Sequence, residues 1–164
     1  GTVRESLKEH ASALEEGKAD VLGLYMVSKL HEQGEVGGDM NDYYTTFMAS
    51  IFRSVRFGAS SAHGKANMIR FNYFEEMGAF TRDGAKGTYL IDYNKLKEAM
   101  NSLSALILKH QGDGNYDGVN ILVKNNAVIP TQLQGDLDRL DELRIPVDIV
   151  FDQGLEALGL SSQR

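Results

Sequence analysis

The sequence contains no cysteine. Disulfides and thiolate metal sites are excluded, and any metal would have to be held by oxygen and imidazole nitrogen. Positive charge is scarce: 17 Lys and Arg stand against 23 Asp and Glu, a net charge of −6. That balance argues against nucleic acid or an anionic membrane surface as a partner. No apolar run approaches the roughly 18 residues that a membrane-spanning helix requires. Internal repeats and low-complexity linkers are also missing. The chain opens on Gly1, so the lack of a visible signal peptide carries no weight.

At 164 residues with 42% hydrophobic content, the chain suits a single domain with a substantial core. Its most informative stretch is Leu14–Met26, LEEGKADVLGLYM. Glu15, Glu16 and Asp20 directly precede a segment that is almost entirely apolar. On a helix Glu16 and Asp20 are i and i+4 and share a face, with Glu15 roughly 100° around. A helix apolar on every side is expected to be buried, which places the acids at the rim of the core. There they need a cation, a metal or strong donors. A solvated acidic turn and a metal-binding carboxylate both remain open on spacing alone.

Periodicity and punctuation predict a mainly α fold of about six helices with one small β-hairpin. One long helix is expected over about Glu5–Gln33, closed by Gly34. A second, about Met40–Phe57, starts at an Asp39 cap and carries an apolar stripe of Tyr43, Tyr44, Phe47, Met48, Ile51, Phe52 and Val55. Arg53 and Arg56 lie on its other side, as surface charge or as partners for a carboxylate such as Glu15. A third, about Ala62–Met77, is capped by Ser60 or Ser61 and puts His63 in its first turn, beside unpaired backbone N–H groups. Short apolar stretches at Phe80–Arg82 and Thr88–Ile91, either side of Asp83-Gly84-Ala85-Lys86-Gly87, read as a hairpin. Further helices follow at about Tyr93–Gln111, Tyr116–Asn125 and Thr131–Leu143. His110, in a last turn, is in a place that favours a positive side chain. Val147–Phe151 reads as a short extended segment, and the tail after Gly154 as frayed.

Two tempting metal motifs fail. His31-Glu32 lacks a second His at i+4, where Glu35 stands. Asp113, Asn115, Asp117 and Gly118 copy half of a calcium loop, but the twelfth position is Lys124.

The run Glu15-Glu16-Gly17-Lys18-Ala19-Asp20, followed by Val21-Leu22-Gly23-Leu24-Tyr25, resembles the second zinc motif of the dipeptidyl peptidase III family. The resemblance continues through Phe52-Arg53-Ser54-Val55-Arg56-Phe57-Gly58 and Ala62-His63-Gly64-Lys65 to Pro146-Val147-Asp148-Ile149. Thr2-Val3-Arg4-Glu5 through Ser12-Ala13-Leu14 is similar to the branch in which this region follows a Nudix-type domain. What the resemblance implies is the zinc-carrying helical lobe of a two-lobed metallopeptidase. On this reading residues 1–164 are a single domain, the C-terminal part of a longer protein whose upstream His-Glu-x-x-(x)-Gly-His helix supplies two His ligands and the general base. It implies one zinc ion, with Glu16 as the third protein ligand and Glu15 and Asp20 as acceptors orienting the ligand histidines. His63 would bind substrate and stabilise the developing oxyanion. The Arg that classical members carry four positions after that His is replaced by Asn67. The implied partners are short peptides, shortened by dipeptides from the N-terminus, and the preceding part of the same polypeptide. A cytoplasmic location is expected, and an inactive fragment when this chain stands alone. The alternative is a non-catalytic helical accessory or interaction domain attached to a Nudix-type hydrolase. Nudix chemistry itself finds no supporting run of glutamates here.

Overall fold

The helix expected over Glu5–Gln33 is broken. In the computed structural model, which describes residues 1–149, 151–155 and 157–160, α1 (Val3–Leu7) ends at Lys8, whose φ is 50°. A single 3-10 turn, Lys8–His10, then leads into α2 (Ala11–Glu32). The break follows from α1 being a closed local unit. The Thr2 hydroxyl accepts from the Glu5 N–H while the Glu5 carboxylate accepts from the Thr2 N–H, the reciprocal cap of a helix start. Despite the break, Leu7, Ala11 and Leu14 are all buried, as their spacing predicts.

The remaining elements are α3 (Met40–Val55), α4 (Ala62–Glu76), β1 (Phe80–Asp83), β2 (Thr88–Ile91), α5 (Tyr93–Asp113), α6 (Tyr116–Asn126) and α7 (Thr131–Glu142). The fold is mainly α with a two-stranded antiparallel sheet, and no described helix is long and apolar enough to cross a membrane. Asp39, Ser61 and Asp92 each cap the following helix through a side-chain oxygen. Asn115 caps α6 by accepting from the Gly118 N–H, so the rejected calcium loop is a helix cap.

The second half of α2 is not buried on every side. Val21 and Leu24 face the core, but Met26 is 54% exposed, because residues at 100° intervals put Met26 opposite them. α4 buries Ala66, Asn67, Met68, Ile69, Arg70, Phe71 and Phe74, and it packs against α2, α3, α5 and α6. Gly17 of α2 faces Ala66 of α4, so the acid-bearing turn lies directly on the central helix. Aromatic contacts carry the hairpin onto this core: Phe71 to Phe80 at 4.8 Å and Phe52 to Tyr89 at 4.7 Å between ring centroids.

Arg56 corrects a second expectation. Its side chain is 5% exposed, so it is not surface charge, and its carboxylate partner is Asp141 rather than Glu15. It donates to Asp141 at 2.6 Å and to the carbonyls of Ile145 and Pro146, strapping the segment after α7 to the end of α3. Arg53 pairs with Asp148 at 2.8 Å. Described residues of the 147–151 stretch form no strand, and Val150 lies outside the described residues. Of the tail expected to fray, Glu156 and residues 161–164 also lie outside them, while 157–159 form a turn.

His110 is a third correction. Burial pushes its imidazole below the ordinary value, against the pull of Asp113 and with the repulsion of Lys109. Its Nδ1 is buried without a partner, and a Cβ added at Gly118 would lie 2.5 Å from the ring's Cε1. The unfolded chain therefore binds a proton at His110 more readily than the folded one, and stability rises with pH through that window. Unfolding midpoints in urea are expected to fall as pH drops from 8 toward 5. His110→Gln should flatten the part of that slope near the ordinary histidine value of about 6.5. An unchanged slope in the variant would remove His110 as the cause.

Candidate functional site

The triplet on α2 fans out because of its spacing. Glu16 and Asp20, on one face, point toward α4, while Glu15 turns toward α5. The Glu15 carboxylate accepts from the Gln111 amide at 2.8 Å and pairs with Lys18 at 2.7 Å. Asp20 pairs with Arg70 of α4. Glu16 lies against His63, with Oε2 3.3 Å from Nδ1. The structure thus brings Glu16, Asp20 and His63 to one α2–α4 edge and leaves Glu15 about 100° around α2, turned toward α5.

All three side chains are accessible: Glu16 is 38%, Asp20 45% and His63 71% exposed. Each can be reached by groups approaching from outside this chain. Next to them opens a polar groove of about 460 Å³, lined by Asp20, Arg53, Ser61, His63, Asn67 and Arg70 among others. Leu24, Val27, Tyr43 and Phe47 line a neighbouring apolar hollow of about 580 Å³.

The first turn of α4 is held in place from two directions. The Ser61 hydroxyl accepts from the Gly64 N–H at 3.0 Å. Gly64 also sits so close to the preceding loop that a Cβ there would lie 2.3 Å from the Gly58 carbonyl oxygen and 2.9 Å from the Ala59 Cα. Both clashes are with backbone, which cannot swing aside as a side chain does. Gly64→Ala is therefore expected to cost about 1–3 kcal/mol in urea unfolding, the usual range for overpacking, and to displace His63. A variant as stable as the wild type would show that the loop yields freely.

Arg70 is not singled out as a site residue by the sequence alone. It is 4% exposed, its guanidinium reaching both Asp20 and the Asn67 side-chain oxygen. The available signal was spacing: His63, Asn67 and Arg70 are i, i+4 and i+7, one stripe of α4. Burial pulls the Arg70 guanidinium below its ordinary value, and Asp20 pulls it back.

Among the described residues, no group of three or more His, Cys, Asp or Glu side chains is arranged to hold a metal ion. Glu16 with His63 supplies one carboxylate and one imidazole, donors of the kind zinc accepts but short of the three protein ligands that a catalytic site uses. These residues fit one corner of a metal site rather than a whole one.

No family model matches the sequence. The chain is 39% identical over 149 residues to Nudix hydrolase 3 of Arabidopsis thaliana, a match covering 90% of this chain and 19% of that protein. Among solved structures it is similar to DPP III from Caldithrix abyssi, with a TM-score of 0.85 and 37% identity over 90% of this chain and 28% of that one. It is similar also to dipeptidyl-peptidase III from a Corallococcus strain, with a TM-score of 0.83 and 34% identity over 92% of this chain and 28% of that one. The chain spans less than a third of the length of each relative. In fold and in sequence together, it is a relative of the dipeptidyl peptidase III family, matching one segment of those proteins.

Proposed function

We propose that this chain forms the C-terminal, carboxylate-bearing part of a zinc-dependent exopeptidase that releases dipeptides from the N-terminus of short peptides. The observation that supports this reading best is the Glu16–His63 pair at 3.3 Å, exposed at a helix edge in a fold shared with dipeptidyl-peptidase III structures. Glu16 would be the protein ligand that this chain contributes, the others coming from a preceding segment. A zinc ion held there supplies a water acidified toward neutral pH and polarisation of a carbonyl. The chain's own residues bind and orient. Glu16 presents its carboxylate outward. His63 places an imidazole beside it, within reach of a peptide carbonyl oxygen on which negative charge develops. Asp20 and Glu15 are acceptors on either side of Glu16 for the N–H groups of imidazoles arriving from outside, the usual way a ligand histidine is held in one tautomer. The polar groove beside His63 receives the peptide.

The test is a comparison of two proteins. A polypeptide of the relatives' length should release dipeptides from tri- to octapeptides, lose the activity to a chelator and regain it with zinc. This chain alone should retain almost no zinc on dialysis and turn over nothing, because one carboxylate and one imidazole make a poor site. Activity unaffected by chelation would contradict the zinc assignment, and the absence of any dipeptide release would contradict the peptidase.

A second reading draws on the match to Nudix hydrolase 3: a helical accessory domain of a Nudix-type hydrolase. It predicts that the longer protein cleaves no peptide and that removal of this region lowers the other activity or its solubility.

A further inference from the structure

One side chain that the peptidase reading leaves unused is Arg70. It is buried, lines the groove, and reaches from the helix of His63 to the acidic helix. One guanidinium nitrogen donates to Asp20 of α2. The other donates to the Asn67 side-chain oxygen. Arginine can only donate, so Asn67 must turn its oxygen toward it. That leaves the Asn67 amide nitrogen facing the other way, where it donates to the His63 carbonyl at 2.9 Å. The result is a continuous line: Asp20 carboxylate, Arg70 guanidinium, Asn67 amide, His63 backbone. The ring of Phe47 lies 5.3 Å from the Arg70 guanidinium carbon and closes its other face.

Stability does not explain this residue. A methionine would fill similar volume without stripping water from a charge, and buried ion pairs are often no better than the apolar groups that replace them. The Arg70 Nε is also buried with no partner, a further cost. The line does have a geometric consequence. α2 and α4 carry Glu16 and His63 separately, and their 3.3 Å approach depends on the register of one helix against the other. The geometry points to Arg70 and Asn67 as positioning residues that lock the acidic turn of α2 to the first turn of α4, so that Glu16, Asp20 and His63 move as one body. The Arg70 guanidinium is already engaged by Asp20 and Asn67. It acts through Asp20 on one side and through Asn67 on the other. The inference rests on the reading of Glu16 and His63 as a working pair.

The experiment uses Arg70→Met, Asp20→Asn, their double variant, and Asn67→Ala. Asn67→Ala removes the amide link alone and stands in if the arginine variant does not fold. In this chain, amide hydrogen exchange at Lys65, Ala66 and Asn67 should accelerate about 10-fold or more in Arg70→Met and in Asn67→Ala, with Phe71–Phe74 changing far less. The double variant should regain stability, since no charge is left unpaired, but not the slow exchange of the first turn. In a zinc-loaded protein of the relatives' length, both Arg70→Met and the double variant should lower kcat about 10-fold with KM within about 2-fold, the mark of a lost orientation rather than of lost binding. Unchanged exchange in the first turn, or full recovery of exchange and kcat in the double variant, would overturn the inference by reducing Arg70 to a charge balance for Asp20. A longer protein with no peptidase activity would overturn the functional reading, and the exchange data would still decide the positioning claim.

Discussion

Asp136→Ala should lower the unfolding free energy by about 2–4 kcal/mol, the largest stability effect expected of any single charged residue here. The Asp136 side chain is 8% exposed. Its two oxygens accept both Arg82 donors at 2.7 Å, and one of them also accepts from the Tyr89 hydroxyl at 2.6 Å. Arg82 and Tyr89 come from the two strands of the hairpin and Asp136 from α7, so one carboxylate fastens two elements far apart in sequence. Alanine leaves a guanidinium and a phenol facing a void. The cost falls below the extreme for a buried pair because Arg82 keeps a path to water, with its side chain 17% exposed. For a chain of this size the loss corresponds to roughly 5–15 °C in Tm. The surface variant Asp138→Ala should change it by less than about 0.5 kcal/mol. A loss below about 1 kcal/mol for Asp136→Ala would show that hairpin and helix are held by apolar packing alone.

The same cluster sets an acid limit. Hydrogen bonds from Arg82 and Tyr89 hold the Asp136 carboxyl below the ordinary carboxylate value, against the opposing effect of burial. A group depressed in the folded state contributes stability above its unfolded value, about 3.9, and loses that contribution as pH falls through the folded value. Burial and the bond to Asp136 push the Tyr89 phenol up, outside any physiological range.

Much of this architecture was legible in the chain. Helix starts were readable wherever a short polar side chain precedes a periodic apolar stripe, as at Asp39, Ser61 and Asp92, because the cap and the stripe are both local. The hairpin was readable from Asp83-Gly84-Ala85-Lys86-Gly87, where Asp83 accepts from two N–H groups of its own turn. Three features were not. The break at Lys8 carries no Gly or Pro to announce it. The exposure of Met26 in the second half of α2 depends on which helices lie around it, and an apolar run such as Val21–Val27 does not encode its neighbours. Arg70 and Asp136 were hidden by the same rule: a charge inside an apolar pattern reads as surface until its partner, 50 or 54 residues away, is brought beside it.

At the site, sequence spacing anticipated that Glu16 and Asp20 share a face and that His63 starts a helix. It could not anticipate that the two helices present Glu16 and His63 to each other, since no local pattern measures the distance between residues 47 positions apart. Nor could it show that Asp20 already has a buried cation. That pairing narrows what Asp20 can do, because one of its oxygens is committed to Arg70 and only the other can serve an arriving imidazole.

The account turns on the Glu16 carboxylate, and zinc content tests it most directly. In a protein of the relatives' length, purified with stoichiometric zinc, Glu16→Ala should retain less than about a tenth of the metal after dialysis, along with a comparable fraction of the peptidase rate. Asp20→Ala should weaken zinc retention by only about 10–100-fold in affinity, as the loss of an acceptor behind a ligand does. A Glu16→Ala protein that keeps both its zinc and its rate would contradict the assignment of Glu16 as a ligand and, with it, the reading of this helix edge as part of a metal centre.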